Sequence, residues 1–277
     1  MPQGLSIHVG LNEVDPEHYQ GWDGKLVACE FDANDMEKLA ADNGFETKKM
    51  LTKEATAQAL LSAIEDAGSK LESGDILLVT DSSHGGQVPD TNGDEDDRMD
   101  ETWVMYDRQV VDDELYALWA KFKPGVRIAV FSDSCHSGTV GREVEDAVGR
   151  ERLAQSVDTD QPRIKGIPDD KMRATYEANK KLYDDIQKSV PPFDKSDIAA
   201  GLILISGCQD NQTSLDGDKN GLFTQTLLKV WNDGKFRGGY RTFRKKIAKD
   251  MPPWQSPNFF VIGEVDTKFS NQHPFTV

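Results

Sequence analysis

The strongest constraint on the fold is a rhythm. Short apolar runs rich in β-branched residues recur along the chain, and stretches with helical spacing separate most of them. Ile76-Leu77-Leu78-Val79-Thr80 and Val126-Arg127-Ile128-Ala129-Val130-Phe131 are the clearest runs and read as strands. Further strands are predicted at 4–11, 45–51, 202–208 and 258–262. Helices are predicted at 30–43, 53–71, 113–122, 170–189, 221–233 and 240–250. The helix at 53–71 carries the stripe Ala57, Leu60, Leu61 and Ile64, with Thr52 as the expected N-cap. Strands alternating with helices imply right-handed crossovers and an α/β fold built on a mainly parallel sheet.

One stretch breaks the rhythm. Residues 141–200 are highly charged, poor in β-branched residues and closed by Pro191-Pro192. Residues 85–100 are turn-rich and acidic. With 277 residues, the length alone admits one large domain or two small ones.

Charge narrows the partners. Lys and Arg total 32 against 48 Asp and Glu, a formal net charge of -16, which argues against nucleic acid or an anionic membrane surface. No apolar run approaches membrane-spanning length. The first strand is reached without a basic leader, and the three cysteines, Cys29, Cys135 and Cys208, are odd in number and far apart. Both features read as reduced thiols in a cytoplasmic protein, with Cys29 and Cys208 packed in the core.

Chemistry concentrates where two strands end. Ser83-His84-Gly85-Gly86 follows one run and Asp133-Ser134-Cys135-His136-Ser137-Gly138 follows the other. Open α/β sheets bind ligands beyond the carboxyl ends of their strands. A thiol and an imidazole brought there together point to nucleophilic catalysis, with backbone amides of Gly85 and Cys135 as donors to a developing oxyanion.

These two segments, with Ile205-Ser206-Gly207-Cys208-Gln209-Asp210 and the early Leu26-Val27-Ala28-Cys29-Glu30-Phe31-Asp32-Ala33, resemble the caspase-like cysteine peptidases, specifically bacterial metacaspase-like proteins. The resemblance spans nearly the whole chain outside 141–200. It implies a three-layer αβα sandwich with a six-stranded, mainly parallel sheet in one caspase-like domain over 1–277. Residues 1–140 then correspond to the large segment and 201–277 to the small one. It implies Cys135 as nucleophile, His84 as general acid-base, and Gly85 and Cys135 amides as oxyanion donors. Asp32 and Asp133 would line a pocket for Arg or Lys, a sensible pairing of carboxylate with guanidinium or ammonium. Protein or peptide substrates with basic residues are thus the expected partners, and the chain is expected to be a monomer.

No cofactor is required by this chemistry. The resemblance does suggest calcium, held by Asp100, Asp112 and Asp113 with a fourth acid after the catalytic motif. That fourth position falls near Arg142, a cation, with Glu143 beside it as the available substitute. The loop from Asp90 to Glu101 has EF-hand spacing at Asp90, Asn92, Asp94 and Glu101 but lacks the turn glycine. The fragment from Asp216 to Gly221 starts like a calcium loop and lacks its final acid. Asp81 is a further departure, because relatives commonly carry an aromatic residue there. The competing reading is a caspase-fold binding module that has kept the motifs and lost turnover. The insertion, with Arg142, Arg150, Arg152, Arg163, Lys165 and Arg173 among its basic residues, is either a self-processing segment, a lid or a solvated decoration.

Overall fold

The computed structural model describes residues 1–93, 95, 97–134, 153, 163–190, 198–209 and 212–277. Its centre is a six-stranded sheet made of β1 (Gly4–Gly10), β2 (Glu46–Leu51), β3 (Ile76–Ser82), β7 (Arg127–Asp133), β9 (Gly201–Ser206) and β11 (Phe260–Gly263). The strand order is β11-β9-β7-β3-β1-β2, and every pairing is parallel except β11 with β9. The expected α/β architecture and mainly parallel sheet are therefore present.

Two apolar layers explain why the strand runs contain so few polar residues. On one face Ile7, Val9, Leu77 and Val79 pack with Leu60 and Ile64 of α2 (Ala57–Lys70) and Leu115 of α3 (Asp112–Trp119). On the other, Leu78, Phe131 and Ile205 pack with Met36 and Leu39 of α1 (Cys29–Asp42). That layer is completed by helices C-terminal to the insertion, whose Phe223, Leu227, Phe243 and Ile247 join it. Alternate residues of β3, β7 and β9 thus feed opposite cores, as the two-residue period demands.

Four local expectations need correction. The second helix starts at Ala57, and its N-cap is Thr56, whose hydroxyl accepts from the Ala59 amide. Thr52 instead opens a 3-10 turn, and its hydroxyl is taken by the Asn12 amide and Glu30, so it cannot cap. The turn-rich stretch after His84 holds a three-stranded antiparallel sheet, β4 (His84–Pro89), β5 (Met99–Val104) and β6 (Gln109–Val111). The single helix expected at 170–189 is two, α4 (Asp169–Ala178) and α5 (Lys180–Ser189), separated at Asn179.

The fourth correction concerns the insertion. Its described part is built into the protein, with Lys165, Ile167, Tyr176, Tyr183 and Gln187 all buried. The Tyr183 hydroxyl meets His18 at 2.7 Å and accepts from the Gln109 amide, and the Gln187 side chain donates to Pro89 O and accepts from the Thr91 amide. Two short strands complete the topology: β8 (Arg163–Ile164) pairs antiparallel with β10 (Leu215–Asp216). Cys29 and Cys208 are buried free thiols, as expected.

Candidate active site

His84 stands just beyond the carboxyl end of β3, where the chain leaves the central sheet and begins β4. Its ring is buried, and Nε2 donates to Gly24 O at 2.8 Å, since a carbonyl can only accept. That bond fixes the tautomer and leaves Nδ1 with the lone pair. Nδ1 is buried, and the Gly166 backbone lies against the ring. Burial, helped by the nearby Lys165 ammonium, pulls the His84 pKa down to about 4 against the Gly24 and Gly166 backbones, so the ring is neutral. Trp22 lies 4.7 Å from the ring, centroid to centroid. Gly24 takes φ +56, and a Cβ there would stand 3.3 Å from the His84 ring, so a glycine lets the carbonyl reach it.

Asp32 and Asp133, separated widely in sequence, meet at the ends of β3 and β7. Asp32 enters from the first turn of α1 and Asp133 from the last residue of β7. Both are buried and supplied with donors. Asp32 accepts from Ser82 Oγ at 2.7 Å, Asn220 Nδ2 at 3.0 Å and the Gly221 amide at 3.1 Å. Asp133 accepts from the hydroxyls of Ser214 and Thr224.

The pocket between them holds a cation from the chain itself. Lys165 Nζ donates to Asp32 and Asp133 at 3.1 Å each and to Ser82 Oγ at 2.9 Å, with its side chain wholly buried. Burial alone would disfavour the ammonium, yet Asp133, Asp32 and neighbouring groups hold its pKa well above the ordinary lysine range. Burial pushes Asp32 up to about 6 against the pull of Lys165, with Asp133 adding to the rise. Gly221 forms the pocket wall: a Cβ there would lie 2.4 Å from both Asp133 Oδ2 and Lys165 Nζ.

The backbone around Lys165 is held as tightly as its side chain. Its amide donates to Ser214 O at 3.0 Å, and its carbonyl accepts from the Gly85 amide at 3.1 Å. The Ile167 amide returns to Gly85 O at 3.0 Å. The peptide bond after Lys165 thus lies beside Gly85, the residue next to His84. Cys135 and the motif 135–138, like Arg142 and Glu143, lie outside the described residues.

Asp81 is buried on the far face of β3, with one carboxylate oxygen accepting from Ser83 Oγ at 3.0 Å. Burial raises its pKa to about 7, so near neutrality it is only about half ionised.

At the rim of the small sheet, Glu95, Glu101 and Asp112 offer carboxylate oxygens within 4.8 Å of one another. Of the three acids expected together, only Asp112 belongs to this close group. Asp113 accepts from Asn92 Nδ2 at 2.9 Å, and Asp100 is buried in β5. Burial, Glu101, Asp100, Asp113 and Glu95 together push Asp112 well above the carboxylate range. The calcium-like fragment beginning at Asp216 serves the pocket instead. Asp216 accepts from the Val27 and Ala28 amides at the start of α1, while Asn220 and Gly221 reach Asp32.

Residues 14–262 match the model of the caspase domain of peptidase family C14. The chain belongs to the caspase-domain family. It is metacaspase-like in sequence: Metacaspase-1 of Mycosarcoma maydis is 27% identical over 248 residues, covering 79% of this chain and 59% of that protein. Metacaspase-4 of Arabidopsis thaliana is 29% identical over 167 residues, covering 56% of this chain and 38% of that protein. The chain spans about a third to three-fifths of the length of the curated relatives it matches. The crystal structure of protein GSU0716 from Geobacter sulfurreducens is 48% identical, with a TM-score of 0.88 over 100% of this chain and 99% of that one. Caspase-1 from Spodoptera frugiperda, at 12% identity, shares the fold with a TM-score of 0.53 over 95% of this chain and 86% of that one. The expected three-layer caspase-like fold is therefore the observed one. Among the described residues, no helix is long and apolar enough to cross a membrane.

Sequence reasoning missed Gly24 and Lys165. A backbone carbonyl leaves no side-chain signature, so nothing pointed to Gly24. Lys165 did carry a signal: it sits in Arg163-Ile164-Lys165-Gly166-Ile167, an alternating apolar run inside an otherwise charged stretch.

Proposed function

We propose that this metacaspase-like protein is a cysteine endopeptidase that cleaves protein segments after lysine or arginine. One observation carries the reading: Lys165 is set between Asp32 and Asp133 while its own carbonyl accepts from the Gly85 amide. A basic side chain in an acid pocket and its carbonyl on a backbone donor beside a neutral imidazole is the arrangement that cleavage after that residue requires.

The steps follow from the residues. His84 Nδ1 takes the proton of the Cys135 thiol, and the thiolate attacks the carbonyl carbon of the basic residue. The Gly85 amide and the Cys135 amide donate to the oxyanion. The carbon–nitrogen bond breaks as the imidazolium returns its proton to the departing amine. Water then attacks the thioester with His84 as base, freeing the carboxylate and the thiol. Gly24 keeps Nδ1 the basic nitrogen throughout, and the buried Asp32 and Asp133 fix the reacting carbonyl by holding the basic side chain.

Calcium is a regulatory ligand in this reading, with no part in the bond-breaking steps. Glu95, Glu101 and Asp112 form an oxygen-only donor set that fits such a hard cation, and their loop is bonded to α5 of the insertion through Thr91 and Gln187.

A fluorogenic lysyl or arginyl peptide tests the reading, with Cys135→Ala as control. Turnover by the parent alone is expected. Equal signals from both proteins overturn it and favour the binding-module alternative.

A further inference from the structure

Residues 163–167 run through the site as a two-residue strand, a bend at Lys165 and a bridge from Gly166 to Gly85, with hydrogen bonds on both sides of the Lys165–Gly166 bond. Upstream, Arg163 and Ile164 pair in antiparallel register with Asp216 and Leu215. At the bond, Lys165 is held by Ser214 O and the Gly85 amide, and downstream the Ile167 amide donates to Gly85 O. Adding a strand to an existing backbone edge fixes register by main-chain bonds and leaves selectivity to the side-chain pockets.

Three pockets are in use. Lys165 fills the acid pair already described. Arg163, two residues earlier, has Nη1 3.7 Å from Asp218 and 3.9 Å from Asp216. Ile167, two residues later, is wholly buried with Val14, Tyr19 and Val104, and Trp22 and Met172 pack on that cluster. Val14, Tyr19 and Trp22 come from the loop that also supplies Gly24 to His84, so this apolar pocket is continuous with the catalytic side.

We propose that the enzyme reads its substrates over five residues in the register of this segment. Substrates then carry a basic side chain at the first and third positions before the cleaved bond and an aliphatic one at the second position after it. The inference rests on the peptidase reading above and adds two subsites to it. The downstream pocket is the more selective, because an aliphatic side chain there leaves water entirely, whereas Asp218 is exposed and its attraction is screened.

The test uses the full chain and internally quenched peptides built on Arg-Ile-Lys-Gly-X, with X as Ile, Ala or Asp, and a second set with Ala in place of the Arg. The peptide Arg-Ile-Lys-coumarylamide, which ends at the cleaved bond, reports cleavage without the downstream pocket. Relative to X as Ile, kcat/KM is expected to fall roughly 10-fold for Ala and about 100-fold for Asp, the scale of one buried aliphatic group. Replacing the Arg is expected to lower it about 3-fold, a difference that Asp218→Ser erases while the Ile-to-Ala ratio stays. Mass spectrometry of incubated protein should also find any self-cleavage beginning a new chain at Gly166. Equal kcat/KM for Ile, Ala and Asp overturns the five-residue reading. Failure to cleave the coumarylamide overturns the peptidase reading instead.

Discussion

Two acidic clusters in this molecule have similar composition and opposite character. Asp32 and Asp133 are surrounded by hydroxyl and amide donors from four other segments and enclose a lysine ammonium. Glu95, Glu101 and Asp112 face one another with Asp100 and Asp113 nearby, and their mutual repulsion adds to burial in raising the Asp112 pKa. The first is organised around a cation of fixed position. The second is a set of charges whose repulsion a cation would relieve. Preorganised donors, more than the number of carboxylates, separate a pocket that holds a cation from a field of acids.

The comparison breaks most severely if the pocket loses a carboxylate. Asp133→Ala leaves Lys165 buried with one acid fewer, and removing one partner of a buried ion pair costs about 3–5 kcal/mol. A large drop in denaturation midpoint is expected, together with loss of lysyl-peptide cleavage. An unchanged midpoint would mean that the pocket is not organised around its lysine.

A smaller effect is expected from Gly221→Ala, which changes no charge. Its Cβ would crowd Asp133 and the ammonium, so KM for basic substrates should rise about 10-fold or more, with arginine excluded more strongly than lysine because its head is bulkier. A KM equal to the parent's would show that the wall yields.

The smallest effect belongs to the rim. Asp112→Asn should raise Tm at neutral pH by about 2–4 °C, the shift that about 1 kcal/mol produces in a chain of this size. It should also abolish any rise in Tm that millimolar calcium gives the parent. The sign with pH follows from the shift. A folded-state pKa above the unfolded one makes the native state bind more protons, so the Asp112 contribution improves as pH falls and is lost as pH rises through the folded value. The advantage of the Asn variant should therefore vanish in acid. His84 runs the other way: with its pKa lowered to about 4, its contribution is present above the ordinary histidine value of 6.5 and lost as pH falls toward 4. Tm profiles of the two proteins between pH 7 and about 4 check both signs.

Much of this was readable before any coordinates. Ile76 to Thr80 and Val126 to Phe131 announce strands because each is a short apolar run rich in β-branched residues, and the helix at Tyr240–Asp250 matches its pattern at both ends. The sheet formed by β4, β5 and β6 was not readable. Its first strand begins His84-Gly85-Gly86, without the β-branched residues that mark a strand, and it is held by pairing with Met99–Val104 across an acidic loop. The division of the insertion at Asn179 was lost for a similar reason: the stretch keeps helical composition throughout, and the break is decided by the Asn179 side chain, which donates to Thr175 O and His18 O.

By itself the sequence determined the order of the central strands and their helices and the delivery of His84 to a strand end. These are consequences of local pattern, since burial of an apolar run dictates both its conformation and where its polar flank emerges. Only the tertiary structure decided that Lys165 lies between Asp32 and Asp133 and that Gly24 O orients His84. A lysine in a charged stretch reads as solvated, and it is buried here because partners from four distant segments, Asp32, Ser82, Asp133 and Ser214, meet it at once. No local window contains that coincidence, and a buried charge is stable only where it is met.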